Sequence, residues 1–257
     1  MVSSDGMRSV RSVAIILIVH LAVIVLWQVL VDAFHVPKFV LPSPLATVAT
    51  LTSAKYAWLS NLAVTAVEIL GGFALGAFVG VALAVLFCWS PLVSLLLLPL
   101  FVTLNMIPKV ALGPLIIVWF KYGIFPNSIM AFSIAVFPIL LTTARGLREI
   151  EPELLDLVRS LKGSRWQLFT KIQLPGALPY IFSGMKVGAI LAVAGAIVGE
   201  FLGSDKGLGY LMLQVQVTLD TPAMFMAVLM ITAIGMLLYG LVLALERLLV
   251  VKDARLA

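Results

Sequence analysis

A polytopic α-helical membrane protein is the fold class this 257-residue chain predicts, and three observations carry the prediction. AVILMFWYC residues make up 62% of the chain and charged residues 11%, where a soluble domain holds roughly 45–50% and about 25%. The mean hydropathy is +1.16. Several apolar runs approach the roughly 20 residues with which a helix crosses a bilayer. A soluble globule, a disordered chain, a collagen and a disulfide scaffold are excluded together. The single cysteine, Cys88, can close no intrachain disulfide and cannot build a thiolate metal cluster, so packing is its expected role.

In chain order the apolar runs are 13–31, 62–89, 92–120, 127–144, 180–202 and 223–245, six spans in one membrane domain, residues 1–257. The first follows Arg8 and Arg11, is too long for a signal-peptide core and lacks a small-residue cleavage site, so it is expected to remain as a membrane helix. The third is interrupted by Pro99, Pro108 and Gly113-Pro114. A proline inside a span removes a backbone hydrogen bond, and the freed groups can be satisfied only by protein or a water-filled cavity. Residues 99–114 are therefore expected to face the bundle interior and line a pathway, with Asn105, Pro108 and Gly113 as candidate lining residues.

The net charge of +5 is first a topology signal in such a chain. With the N-terminus inside and six crossings, 12 of the 17 basic residues fall inside, leaving Lys38, Lys55, Lys109, Lys121 and Lys206 outside. That satisfies the positive-inside bias and predicts both termini cytoplasmic, segments 32–61 and 203–222 outside, and segment 145–179 inside.

The chemistry available is sparse. No phosphate-cradling G-x-x-x-x-G-K-[ST] loop exists, and Gly203 to Gly209 reads as a turn. His20 and His35 lack metal-ligand spacing, and no nucleophile–base set stands out. The ionisable residues inside spans are Glu68, Lys186 and Glu200. Glu68 is close enough to the surface to be interfacial, Lys186 can snorkel to the headgroups, and Glu200, near the outer end of the fifth span, joins the pathway candidates. So few mid-membrane carboxylates and histidines count against a proton-coupled transporter. The lining also holds no convergent Arg or Lys to bind a small anion tightly, so tight selection is expected to lie outside this chain.

The inner segment from Glu149 to Pro175 carries the strongest local pattern. Pro152, acids at 149, 151 and 153, and a stripe of Leu154, Leu157, Val158 and Leu161 at helical spacing predict an amphipathic helix with its dipole matched. Gly163 can end it in a left-handed conformation, and Ser164 can cap a second short helix reaching Ile172 before Pro175 stops it. A helix-turn-helix outside the bilayer results, with an amphipathic helix lying on lipid as the alternative.

At this segment the chain resembles the membrane subunits of type I ABC importers, whose cytoplasmic loop follows E-A-A-x3-G-x9-I-x-L-P. Asp156, Leu157 and Val158 fall on E-A-A, Ile172 on the isoleucine and Leu174-Pro175 on L-P. The glycine is the departure: its place is taken by Lys162, with Gly163 one step later. Leu41-Pro-Ser-Pro44, Pro108 to Leu115 with Trp119-Phe120, Leu178 to Gly184, and Gly199-Glu-Phe-Leu with Gly207 to Leu211 look like the nitrate/sulfonate/taurine branch, and the likeness spans about residues 37–248.

The resemblance implies a six-helix importer permease in the bacterial inner membrane, paired with a second copy of itself. It also implies two cytoplasmic ATPase subunits that hold the ATP and magnesium and grip a coupling loop including Glu153, Leu154, Asp156, Leu157, Val158, Leu161, Gly163, Ile172, Leu174 and Pro175. An extracytoplasmic binding protein would deliver the solute. The chain itself would bind no cofactor or nucleic acid and catalyse nothing. A solute of the nitrate/sulfonate/taurine class is expected, with a thiamine-precursor pyrimidine or other small metabolite as the alternative and an ion-coupled secondary transporter as the more distant one.

Overall fold

A computed structural model describes residues 3–149 and 152–250; the side chains of residues 3–13, Ile117, Pro152, Leu155, Leu157 and Arg159 lie outside the description. The described residues form helices and no strand. In order these are α1 (Ser3–Ala33), α2 (Pro44–Ala49), α3 (Trp58–Trp89), α4 (Pro91–Met106), α5 (Lys109–Phe120), α6 (Ile124–Arg148), α7 (Pro152–Ser160), α8 (Arg165–Leu168), α9 (Leu174–Gly203), α10 (Leu208–Val217) and α11 (Thr221–Leu249). Short 3-10 turns occupy Thr50–Thr52 and Ala54–Tyr56.

Five segments are long and apolar enough to cross a bilayer: Ala14–Ala33, Ala54–Trp89, Ile124–Arg148, Arg165–Gly203 and Thr221–Leu249. The third apolar run differs from expectation. It is two helices, α4 and α5, bent by 87° at Ile107-Pro108. Pro99 and Pro114 sit inside those helices without breaking them. At Pro99, Thr103 Oγ1 donates to the proline carbonyl at 2.9 Å, and at Pro108 the Lys109 ammonium donates to Leu104 O at 2.8 Å. Side chains thus occupy carbonyls near both prolines.

Local chemistry explains the helix starts. Ser43 accepts from Ala46 N–H with Pro44 in the first turn of α2, and Ser90 accepts from Val93 N–H with Pro91 in the first turn of α4. A serine cap followed by a proline, whose missing N–H costs nothing at that position, is the expected start.

The described residues fall into two compact units. One joins the chain up to Trp58 with Leu211–Leu229. Within it Trp27 of α1 meets Phe225 at 5.8 Å with the rings tilted by 46°, Trp58 Nε1 donates to Thr50 O, and Asp220 accepts from Tyr56 at 2.5 Å and Lys55 at 3.2 Å. The other joins Leu59–Tyr210 with the chain from Met230 onward. Here α6 lies between α3 and α9, and small residues set the spacing. Gly72 and Gly76 of α3 lie against Ala131 and Ala135 of α6, while Gly195 and Gly199 of α9 lie against Ala131 and Asn127. A Cβ at Gly195 would stand 2.6 Å from Ala131 Cα. In lipid, where apolar burial drives little helix association, such close backbone approach supplies the dispersion contacts. Toward Arg148, Phe87, Leu140, Leu147, Phe169 and Ile181 form an apolar core, closed by Arg148, which donates to Ser94 Oγ at 2.6 Å and to Phe87 O at 3.3 Å near the C-terminal end of α3.

Candidate functional site

Three features lie in the second unit, and the first is the helical hairpin between α6 and α9. Helix α7 ends in a turn whose left-handed residue is Lys162, φ +52°, and not Gly163 as the spacing suggested. Gly163 instead permits a close approach to α7. Its N–H donates to Val158 O at 2.9 Å, and a Cβ there would come 2.7 Å from Val158 Cγ1. Ser164 then caps α8 in a reciprocal box with Gln167. The chain does not stop at Pro175. Phe169–Gln173 forms a π turn, Leu174 N–H reaches Phe169 O, and the helix runs on into α9. The wider turn absorbs the N–H that Pro175 lacks. Trp89 of α3 meets Trp166 at 5.8 Å and Phe169 at 5.3 Å, both edge-to-face, and ties the hairpin down on one side.

On α7 the side chains of Glu153 and Asp156 are exposed, Leu154 is 37% exposed and Val158 is half-buried; in the turn that follows, Leu161 is 73% exposed. The Leu157 side chain lies outside the described residues. Ile172 and Leu174 are half-buried and Pro175 is exposed. The hairpin therefore presents bare apolar surface beside acidic groups.

The second feature is an open cavity of about 500 Å³ at the break between α4 and α5, lined by Asn105 and Pro108, both exposed on this chain, and half-buried Lys109, together with Phe137, Pro138 and Leu191. Two of the pathway candidates, Asn105 and Pro108, thus share one wall. Gly113 does not line this cavity: it is buried against Leu202 of α9.

The third is a buried polar network at the far end of α9. Glu200, 1% exposed, accepts from Thr65 Oγ1 at 2.5 Å, from Tyr210 N–H at 3.2 Å and from Gly209 N–H. Thr65 Oγ1 in turn accepts from Leu208 N–H at 2.8 Å, and Asn61 accepts from Gly207 N–H at 2.9 Å. Glu68 is fully buried between helices, and its Oε1 accepts from Asn127 at 2.8 Å. The 203–209 turn is wrapped over one carboxylate, which explains its glycines. Gly207 holds φ +111°, and a Cβ at Gly209 would stand 2.8 Å from Glu200 Oε2. Glu200 lies outside the α4–α5 cavity. Lys186, expected to snorkel, instead pairs with Glu246 of α11 at 3.2 Å, both side chains largely buried.

Sequence reasoning missed Asn61, Thr65, Asn127 and Glu246 as partners and did not single out Lys109 as a lining residue. The one available signal was the glutamate seven and nine residues ahead of Gly207 and Gly209. Among the described residues no group of three or more His, Cys, Asp or Glu could hold a metal.

Comparison with known proteins gives consistent matches. The family model described as binding-protein-dependent transport system inner membrane component matches residues 72–251. A probable ABC transporter permease protein of Haemophilus influenzae is 36% identical over 84% of this chain and 88% of its own length. The formylaminopyrimidine transport permease protein ThiX of Halalkalibacterium halodurans is 30% identical over 89% and 92%, and the putative aliphatic sulfonates transport permease protein SsuC of Bacillus subtilis 29% over 90% and 84%. In fold, the chain is like the inward-facing MetNI methionine ABC transporter, with TM-score 0.53 and 23% identity, covering 75% of this chain and 98% of that one.

Proposed function

The chain belongs to the family of binding-protein-dependent transport system inner membrane components, and on that premise we propose how it assembles, how it is driven and what it carries. It is a multi-pass ABC importer permease and not an enzyme. Its family implies an ATPase subunit and a solute-binding protein as partners.

The observation that supports the finer reading is the α7–α8 hairpin. It joins the two helices that pack most closely, α6 and α9, and it leaves Leu154 and Leu161 uncovered beside Glu153 and Asp156. Exposed leucines on a short helix and its turn, flanked by acidic groups, suit a groove on a partner. Two ATPase subunits, carrying ATP and magnesium, would each grip one hairpin of a permease dimer, and closure of the ATPase pair would move α6 and α9 as a rigid body. With α4 and α5 counted as one broken span, the chain makes six crossings in the bacterial inner membrane with both termini and the hairpin cytoplasmic. Solute would pass by the wall formed by Asn105 and Pro108, while Gly113 packs against Leu202 behind it and Glu200 holds the 203–210 turn away from that wall. A small solute of the nitrate/sulfonate/taurine class fits the sequence motifs and the sulfonate relative; the ThiX relative favours a formylaminopyrimidine as the second reading.

The test is reconstitution of permease, ATPase and binding protein in proteoliposomes. Loaded binding protein is expected to stimulate ATP hydrolysis strongly and to drive uptake. Gly163→Val and Leu157→Asp are expected to abolish uptake and weaken ATPase association while the protein still inserts; normal co-purification of the ATPase with both variants would defeat the coupling role. Isolated permease is expected to bind no candidate solute with a Kd at or below about 1 μM.

A further inference from the structure

We infer that Lys109 is a charge-selecting residue of the solute pathway, whose ammonium group, beside Asn105, favours passage of a small anion and opposes that of a cation. The inference deepens the importer reading and depends on it. Its first support is depth. The cavity at the α4–α5 break is lined by Phe137 and Pro138, midway along α6, and by Leu191, midway along α9. Lys109 on the same wall is therefore at the level of the bilayer middle, not at either surface. A lysine side chain reaches about 6 Å, short of the roughly 15 Å from mid-plane to headgroup, so snorkelling cannot bring this ammonium to water from there. A charge held at that depth is costly, and such residues line pathways or pair with partners.

The second support is what surrounds the charge. An ammonium has three donors. One is directed to Leu104 O at 2.8 Å, a carbonyl in the last turn of α4. None of the residues lining the cavity is acidic, in contrast to Lys186, whose charge is matched by Glu246 at 3.2 Å. The cavity thus offers an uncompensated positive charge and the Asn105 amide on one side, with apolar Phe137, Pro138 and Leu191 opposite. A volume of about 500 Å³ admits a small solute with some of its water. One ammonium and one amide make a transient contact for a singly charged anion, not a tight site, which agrees with tight selection by a binding protein. A cation entering the same space would meet a like charge in low dielectric with no acid to offset it.

The test uses the complete complex of permease, ATPase and binding protein in proteoliposomes, with nitrate, methanesulfonate and a neutral formylaminopyrimidine as probes. The solute extracted from the purified binding protein and identified by mass spectrometry joins the panel. Uptake of an anion is expected, with Lys109→Met and Lys109→Gln each lowering the number of anions moved per ATP hydrolysed about tenfold or more, and Lys109→Arg keeping it within about threefold. Uptake of a neutral or cationic solute alone, or anion uptake unchanged in both neutral variants, would overturn the role of Lys109 and leave the importer reading standing. Failure of the binding protein to stimulate ATP hydrolysis, with no ATP-driven uptake of any panel member, would overturn the importer reading and this inference together.

Discussion

Replacing Thr65 by valine isolates the chemistry that holds the 203–210 turn, because the side chain keeps its volume and loses only its hydroxyl. Thr65 is fully buried. Its hydroxyl donates to Glu200 at 2.5 Å and accepts from Leu208 N–H at 2.8 Å. Thr65→Val therefore strips one contact from a buried carboxylate and orphans one buried backbone N–H. Glu200 keeps its Gly209 and Tyr210 donors, so the loss is one hydrogen bond to a charged group, about 1.5–3 kcal/mol, plus one orphaned N–H, about 1–3 kcal/mol, together about 2–6 kcal/mol. At roughly tenfold per 1.4 kcal/mol, even the lower figure speeds local opening about 30-fold. Hydrogen–deuterium exchange of the permease in nanodiscs, followed in peptides covering residues 204–212, reads this directly at Leu208, Gly209 and Tyr210. Thr65→Ser is the matched control: it keeps the hydroxyl and gives up one methyl, about 1 kcal/mol or roughly fivefold. Exchange in Thr65→Val within about threefold of the unaltered chain, or equal acceleration by serine and valine, would refute the claim that this hydroxyl secures the turn.

Three further outcomes are expected. Lys162→Gly should raise the thermal stability of the hairpin by about 1 kcal/mol, since it relieves a non-glycine residue at φ +52°; limited proteolysis of the 149–175 segment would slow, and faster cleavage would contradict the account. Burial pushes the Asp220 carboxyl up, but hydrogen bonds from Tyr56 and Lys55 and the lysine charge outweigh it and hold its pKa below the ordinary 3.8. Because the folded value is depressed, the stability from this contact is complete above the ordinary carboxylate range and is lost as pH falls through the depressed value. The melting-temperature gap between the unaltered chain and Asp220→Asn should be flat from neutral pH to about 4 and close below it; a gap that closes on going from pH 5 to pH 7 would show the sign to be wrong. In a Cys88→Ser background, an impermeant thiol reagent on intact cells should label Lys206→Cys and spare Lys162→Cys, and the reverse would invert the topology.

What the sequence made legible was local. The Ser164 cap and the helix–turn–helix within 149–175 follow from residues close together in the chain; the serine–proline starts of α2 and α4 are equally local, though they were not singled out from the sequence. Apolar runs likewise marked the long helices, since hydropathy is a property of a window. Pairings across the bundle were not legible. Thr65 and Glu200 are 135 residues apart, Glu68 and Asn127 are 59 apart and Lys186 and Glu246 are 60 apart, and no periodicity reports which polar groups on different helices meet. The two local errors have local causes. Pro175 was expected to stop a helix, and the π turn at Phe169–Gln173 carries the backbone past it. Gly163 was expected to be left-handed, but Lys162 takes that conformation, at the position where the importer motif has its glycine; Gly163 is needed for its lack of a Cβ against Val158. Asn105 and Pro108 stood out at the proline break, whereas the approach of Lys109 to Phe137, Pro138 and Leu191 on α6 and α9 is a long-range contact that no local pattern reports.

The unbroken course of the chain from Arg165 to Gly203 sets the mechanical gain of the molecule. At 1.5 Å per residue its 39 residues make a lever about 58 Å long, nearly twice the roughly 30 Å hydrocarbon thickness. Its α8 end belongs to the hairpin and its other end carries Glu200. Rocking this lever by about 5° about its middle swings the two ends about 2.5 Å in opposite directions, the small-angle product of half its length. A displacement of that size is comparable to a hydrogen-bond length, enough to pull Glu200 off Thr65 and the backbone of Gly209 and Tyr210. On the coupling role proposed for the hairpin, force delivered there would reach the Glu200 end as a seesaw stroke with reversed sign, and the compliant stretch on the way would be the π turn at Phe169–Gln173.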